Sequence, residues 1–178
     1  QFWMEQKVFK KISNIAALVI LALSSFVYLS TIEPTSSFWD CGEFIASSYK
    51  LEVGHPPGNP VFQLFARFFT IFTDNMHAAA AVNCCSALCS AFTIFFLFLT
   101  IVHFGRRILE KCNKELTLSN AIAVLGAGVA GSLAYCFSDT FWFSAVEGEV
   151  YAMSSLTTAI VFWAILKCEE EADEPYAD

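Results

Sequence analysis

The residues best suited to chemistry in this 178-residue chain are carboxylates set beside long apolar runs. Asp40 and Glu43 lie in Phe38-Trp-Asp-Cys-Gly-Glu-Phe44, and His55 and Asn59 follow in Gly54-His-Pro-Pro-Gly-Asn-Pro60. Ionisable groups beside hydrocarbon are costly and usually functional, so a chain needing only to sit in a bilayer gains nothing from them. Pro34 and Thr35-Ser-Ser37 end the preceding apolar run, and Ser37 or Asp40 can cap a short helix from about Cys41 to Leu51. On that helix Asp40 and Glu43 share a face. Two such carboxylates divide into a general base and a metal- or donor-orienting group, or repel so that one pKa rises. They also suit a helix N-terminus whose dipole favours acids, and spacing alone leaves both readings open.

The proline-rich segment cannot be helix or strand, because its three prolines remove donors and force turns. It reads as a rigid loop that fixes His55 and Asn59, suiting a phosphate or a sugar hydroxyl, or else as a stiff connector. A second outer segment, Ser138 to Ala152, carries Trp142 and its phenylalanines, which suit the aromatic belt of a membrane interface. Glu147 and Glu149 stand there before the next apolar run. Two apart, they do not share a helical face, so one is expected at the site and the other in water or capping the helix.

The elements that must position these groups are spans. Apolar residues make up 56% of the chain, Phe alone contributes 19 residues, and the mean hydropathy is +0.55, all typical of a chain solvated largely by lipid. An all-α, polytopic membrane protein follows, with about four transmembrane helices at 12–32, 78–102, 118–138 and 150–166. Outer loops are expected at 33–77 and 139–149, within a transmembrane domain over 1–168 that is followed by an acidic, solvated tail at 169–178. Val61 to Phe72, interrupted by Gln63 and Arg67, is too short to span and reads as an interfacial or re-entrant helix. Gly126, Gly128 and Gly131 are expected to pack helices.

Orientation follows from the cations. With the N-terminus cytoplasmic, Lys7, Lys10, Lys11, Arg106, Arg107, Lys111, Lys114 and Lys167 lie inside, and only Lys50 and Arg67 lie outside. Both unusual loops then share the extracytoplasmic side. The net charge of −7 resides largely in the tail from Glu169. The first span is longer than a signal-peptide core and lacks a small-x-small cleavage site. The seven cysteines lie mostly in spans or on the inner side, which suggests reduced packing residues. Only Cys41 falls in the outer loop, where a thiol reagent applied from outside should reach it. Cys84, Cys85 and Cys89 lack the histidine or carboxylate neighbours of a metal site.

In their order along the chain, the basic N-terminus, the first span, the two outer-loop motifs and Val146-Glu-Gly-Glu-Val-Tyr151 resemble the N-terminal part of the domain-of-unknown-function 2723 family. Its members are protein O-mannosyltransferase-like membrane proteins of glycosyltransferase family 117, many of them from Bacteroidetes. The resemblance covers nearly the whole chain and implies a C-type glycosyltransferase in a bacterial inner membrane. Such an enzyme passes a sugar from a polyprenyl-phosphate donor to an acceptor on the extracytoplasmic side. It also implies an essential acid in the first outer loop, which Asp40 matches best and Glu43 second. Asp40 would then deprotonate a Ser or Thr hydroxyl of an acceptor protein during in-line displacement. His55, Asn59 and Arg67, with Lys50 behind them, would meet the phosphate, and Glu147 and Glu149 would bind acceptor hydroxyls or orient the loop. Arg67 also reads as a snorkelling interfacial residue. No cofactor is firmly expected, although so many carboxylates would allow a divalent metal. The expected partners are the donor, an acceptor protein and the bilayer, with no nucleic acid. Because such enzymes normally have many more spans, the chain is expected to be a piece of a longer protein or a subunit completed by other membrane proteins. The competing reading is a noncatalytic membrane subunit or a transporter fragment.

Overall fold

The computed structural model describes residues 4–173, and the elements among them are helices. They are α1 (Gln6–Ser30), α2 (Cys41–Lys50), α3 (Pro60–Thr70), α4 (Ala78–Lys111), α5 (Leu118–Cys136), α6 (Asp139–Ala145) and α7 (Val150–Asp173). Four of these, α1, α4, α5 and α7, are long and apolar enough to cross a membrane. The expected all-helical fold with about four such helices is what the structure shows.

Helix α4 is the axis of the bundle. It packs against α1, α5 and α7 along its length and against α2, α3 and α6 at its start. At 34 residues it is about 50 Å long, well beyond the thickness of a bilayer core. Its apolar window is 56% buried, against 11% for α7, so α4 is surrounded by protein while α7 turns most of its surface outward. Close approach of α5 to α4 depends on glycines of both helices, and on α4 a β-carbon at Gly105 would lie 2.8 Å from Val124. A β-carbon on Gly128 would lie 2.8 Å from Phe98 and Val102, and one on Gly131 would lie 2.8 Å from Ile101. Gly126, expected to share this role, faces open space. The Tyr28 hydroxyl donates to the Cys136 carbonyl at 2.8 Å and fastens α1 to the end of α5.

Several boundaries differ from the sequence reading, each for a local reason. Helix α4 runs past 102 through Arg106 and Arg107 until Asn113 adopts a left-handed φ of 51°. The Arg106–Glu110 pair at 3.2 Å, one turn apart, supports this extension. Helix α7 likewise continues through Glu169–Asp173, because Glu169 reaches Arg107 on α4 at 2.8 Å and Glu170 reaches His103 at 3.0 Å. The start of the expected solvated tail is therefore docked helix, and 174–178 lie outside the described residues. The second outer loop contains α6, whose Phe141 and Ala145 are buried. Trp142 packs edge-on against Tyr28 and donates from its indole N–H to Thr31 Oγ1 at 3.1 Å.

The 33–77 segment folds into a helical pair. Helix α2 packs on α3 through Phe44 and Phe62, whose rings meet edge to face at 6.0 Å. Helix α3 buries Phe62, Ala66 and Thr70, spaced by four, and exposes Val61, Leu64, Phe65 and Phe68. That apolar outer face is the one an interfacial helix presents to lipid.

Candidate active site

The chain leaving α1 is held by polar contacts that set the position of Asp40. The Glu33 N–H donates to the Val146 carbonyl at 3.0 Å. Asn83, fully buried on α4, donates from Nδ2 to the carbonyls of Glu33 at 2.6 Å and Thr35 at 3.1 Å. The Ser37 hydroxyl then donates to the Glu147 carboxylate. Three fixed points between 33 and 37 thus bind the first outer segment to α4 and to the α6–α7 turn. Trp39 follows in the left-handed region, with φ 63°, and its ring is 91% exposed. Asp40 comes next at the α2 N-cap position, exposed, with no side-chain capping bond.

The Asp40 carboxylate influences two titratable groups. One is His55, whose pKa is raised first by hydrogen bonding and charge from Glu43 and further by the Asp40 carboxylate. The other is Glu149, whose pKa is raised first by burial, then by the Glu147 and Asp40 carboxylates. Glu43 turns to the proline loop instead. Its carboxylate accepts from the His55 backbone N–H at 2.6 Å and lies 2.9 Å from the His55 ring Nδ1. Those two hydrogen bonds lower its pKa. The close fit includes Gly54, where an added β-carbon would lie 2.9 Å from Glu43 Oε1.

Glu147 and Glu149 are both only 7% exposed, so neither faces water. Of the two places expected for the second glutamate, water is excluded by this burial, while Glu149 does stand immediately before α7, where a capping residue sits. Residues 146–149 are not helical, and the Glu149 N–H donates to the Glu147 carbonyl at 2.9 Å, folding both side chains inward. Ser86 on α4 receives the same N–H at 3.4 Å.

Residues 40–178 match the profile of the protein O-mannosyl-transferase TMEM260 N-terminal domain. The chain belongs to this family. It is similar to the protein O-mannosyl-transferase tmem260 of Dictyostelium discoideum, at 26% identity over 88% of this chain and 17% of the relative. It is equally similar to protein O-mannosyl-transferase TMEM260 of Mus musculus, 26% identical over 86% of this chain and 20% of that protein. The chain therefore spans about a fifth of the length of these curated relatives. No solved structure matches it. The O-mannosyltransferase-like family implied by the sequence motifs is thereby shown, and all the candidate site residues fall within the part matched by the TMEM260 N-terminal domain.

Within this TMEM260-type domain the expected site residues divide into two groups. Asp40, Glu43, His55, Glu147 and Glu149 are linked by the contacts and charge effects described above. Asn59 stands at the N-cap position of α3 beside them, and its Nδ2, like Gln63 Nε2, is shielded from solvent without a hydrogen-bond partner. Arg67 is elsewhere. Its guanidinium donates to the Tyr49 carbonyl and lies over the Tyr49 ring at 5.5 Å, tying the end of α2 to α3. Lys50 pairs with Glu52 at 3.8 Å. Cys41 is fully buried, so it is not the accessible outer thiol that its loop position suggested. Among the described residues, no three of His, Cys, Asp and Glu are arranged to hold a metal ion.

The sequence reading missed a buried polar stripe on α4. Asn83, Ser86, Ser90 and Thr93 are all buried and follow the 3-4-3 spacing of one helix face. That spacing is visible in the sequence, but small polar residues scattered through 78–102 barely lower its hydropathy and so do not stand out from an apolar run.

Proposed function

We propose that this domain forms the acidic part of a membrane glycosyltransferase that moves a sugar, mannose by analogy with the names of its relatives, from a polyprenyl-phosphate donor to Ser or Thr hydroxyls of proteins. The observation that carries the proposal is the placing of Asp40. It is an exposed carboxylate without a hydrogen-bond partner among the described residues, three positions before the Glu43 that binds His55 and three after the Ser37 that is tied to the buried Glu147. Asp40 accepts the acceptor hydroxyl proton as that oxygen bonds to sugar C1. The C1–O bond to the lipid phosphate breaks, its electron pair leaves with the phosphate, and the anomeric configuration inverts.

The surrounding residues have distinct tasks. Glu43 holds His55 and with it the proline loop, so that His55, Asn59 and Gln63 can donate hydrogen bonds to the leaving phosphate. Glu149, its pKa raised, is suited to hydrogen-bond an acceptor hydroxyl, while Glu147 secures Ser37 and the Asp40 loop. Arg67, occupied by Tyr49, acts as a support of the α2–α3 pair. We place the site on the extracytoplasmic face, with the N-terminus cytoplasmic by the distribution of Lys and Arg, in a C-type enzyme of the domain-of-unknown-function 2723 kind. A bacterial inner membrane is the one its motifs imply. The remaining four-fifths of the full-length relatives would supply the rest of the donor and acceptor sites.

Asp40→Asn in the full-length protein should abolish sugar transfer to acceptor proteins, read by mass spectrometry, while membrane insertion is unchanged. Retained glycosylation would remove Asp40 as the base and favour a noncatalytic subunit.

A further inference from the structure

At the end of the bundle remote from Asp40, the first turns of α1 meet the last turns of α4 and α7 around two cavities with shared walls, of about 570 and 380 Å³. This end lies some 25 Å along α4 from the Ser86 level, taking 1.5 Å per residue to His103. Lys10, Arg106 and Lys167 line the larger cavity together with Phe95, Leu99 and Trp163. Phe95 and Leu99 sit about two to three turns nearer the bundle centre than Arg106, so the cavity is basic at the helix ends and mostly apolar toward the middle, where Ser13 and Asn14 of α1 are its polar members.

The charge balance is local and specific. Lys7, Lys10, Arg106, Arg107 and Lys167 meet four carboxylates around the two cavities, Glu110, Glu169, Glu170 and Glu171, in a chain whose net charge is −7. Three of those carboxylates are already engaged, Glu110 by Arg106 at 3.2 Å, Glu169 by Arg107 at 2.8 Å, and Glu170 by His103 at 3.0 Å and by Lys167. Lys7 and Lys10 have no carboxylate partner among the described residues. The positive-inside tendency accounts for cations at this end, but it requires no cavity and no apolar floor beneath them.

We propose that the cavity is a binding site for an anionic phospholipid, its headgroup phosphate at Lys10, Arg106 and Lys167 and one acyl chain against Phe95, Leu99 and Trp163. Basic pockets between transmembrane helices recognise lipid phosphates in this way, each cation near the surface adding to the attraction. The apolar floor selects a lipid over a free anion. The site is independent of the transferase reading, since it shares no residue with the acidic cluster.

The test uses the delipidated full-length protein in detergent, titrated with phosphatidylglycerol or phosphatidylcholine of identical chains and read by native mass spectrometry and thermal unfolding. Phosphatidylglycerol should be retained on the order of tenfold more tightly, and K10Q/K167Q should abolish that preference. Inorganic phosphate should give no comparable stabilisation, and L99W, which fills the floor, should weaken retention of the lipid. Equal retention of the two lipids, a preference that survives K10Q/K167Q, or stabilisation by phosphate alone would overturn the assignment. Should K10Q/K167Q not fold, undiminished retention by L99W would overturn it as well.

Discussion

The His55 ring Nδ1 lies 2.9 Å from Glu43 Oε2 across twelve positions of sequence, and the His55 backbone N–H donates to the same carboxylate at 2.6 Å. One side chain of α2 thus fixes both the backbone and the ring of a residue in the proline loop. The α2–α3 pair is closed by this contact at one end and by Arg67 on the Tyr49 carbonyl at the other.

The pair defines a pH window. His55 is raised from 6.5, so the stability it contributes is complete below 6.5 and is lost as pH rises through its folded value. Glu43 is lowered from 4.5, so its contribution is present above 4.5 and is lost as pH falls through its folded value. Between these limits the loop is pinned. NMR titration of the His55 ring should give a pKa above 6.5, and Glu43→Gln should bring it back toward 6.5.

Glu149 behaves in the opposite sense. Burial and the neighbouring carboxylates raise it from 4.5, so the folded state holds its proton where the unfolded chain has released it. Stability from this group falls as pH rises from 4.5 through the raised value. Glu147→Gln removes one repelling charge but keeps an acceptor for the Ser37 hydroxyl. Its expected effect is a lower Glu149 pKa, seen in the carboxyl band by infrared titration, with the limb of the transfer pH profile that depends on Glu149 moving to lower pH.

Asn83 should matter more than an apolar run suggests. Replacing it by Leu leaves the Glu33 and Thr35 carbonyls without their donor, at a cost of about 1–3 kcal/mol. The melting temperature should fall, and transfer should fall further than stability explains, because the Asp40 loop loses one of its anchors. Activity assayed well below the new melting point separates the two effects.

The α4–α5 contact offers a paired test. Gly128→Val drives a side chain into Phe98 and Val102, an overpacking expected to destabilise by roughly 1–3 kcal/mol. Gly126→Ala, facing open space, should be neutral or slightly stabilising, because alanine favours the helix. Thermal unfolding in one detergent distinguishes them, and equal losses would contradict the observed packing.

The amino-acid sequence by itself determined the four apolar helices, the break between Pro34 and Pro60, and the order of the acidic motifs. Those features depend on sums over neighbouring residues, such as hydropathy across a span or prolines in a turn, and such sums need no partner from elsewhere in the chain. Tertiary structure decided which groups meet. Asn83 reaches the Glu33 carbonyl from 50 positions away, and Ser37 reaches Glu147 across 110. Glu43 was legible as a candidate acid, but its engagement with His55 was not, nor was the occupation of Arg67 by Tyr49. The burial of Glu147 and Glu149 required a turn folded against Ser86 and Val82 on a helix distant in sequence. These pairings follow from how α4 seats its neighbours, with Gly128 against Phe98 and Asn83 against the exit of α1, and helix-to-helix fit is a property of shapes in space that no local pattern of residues contains.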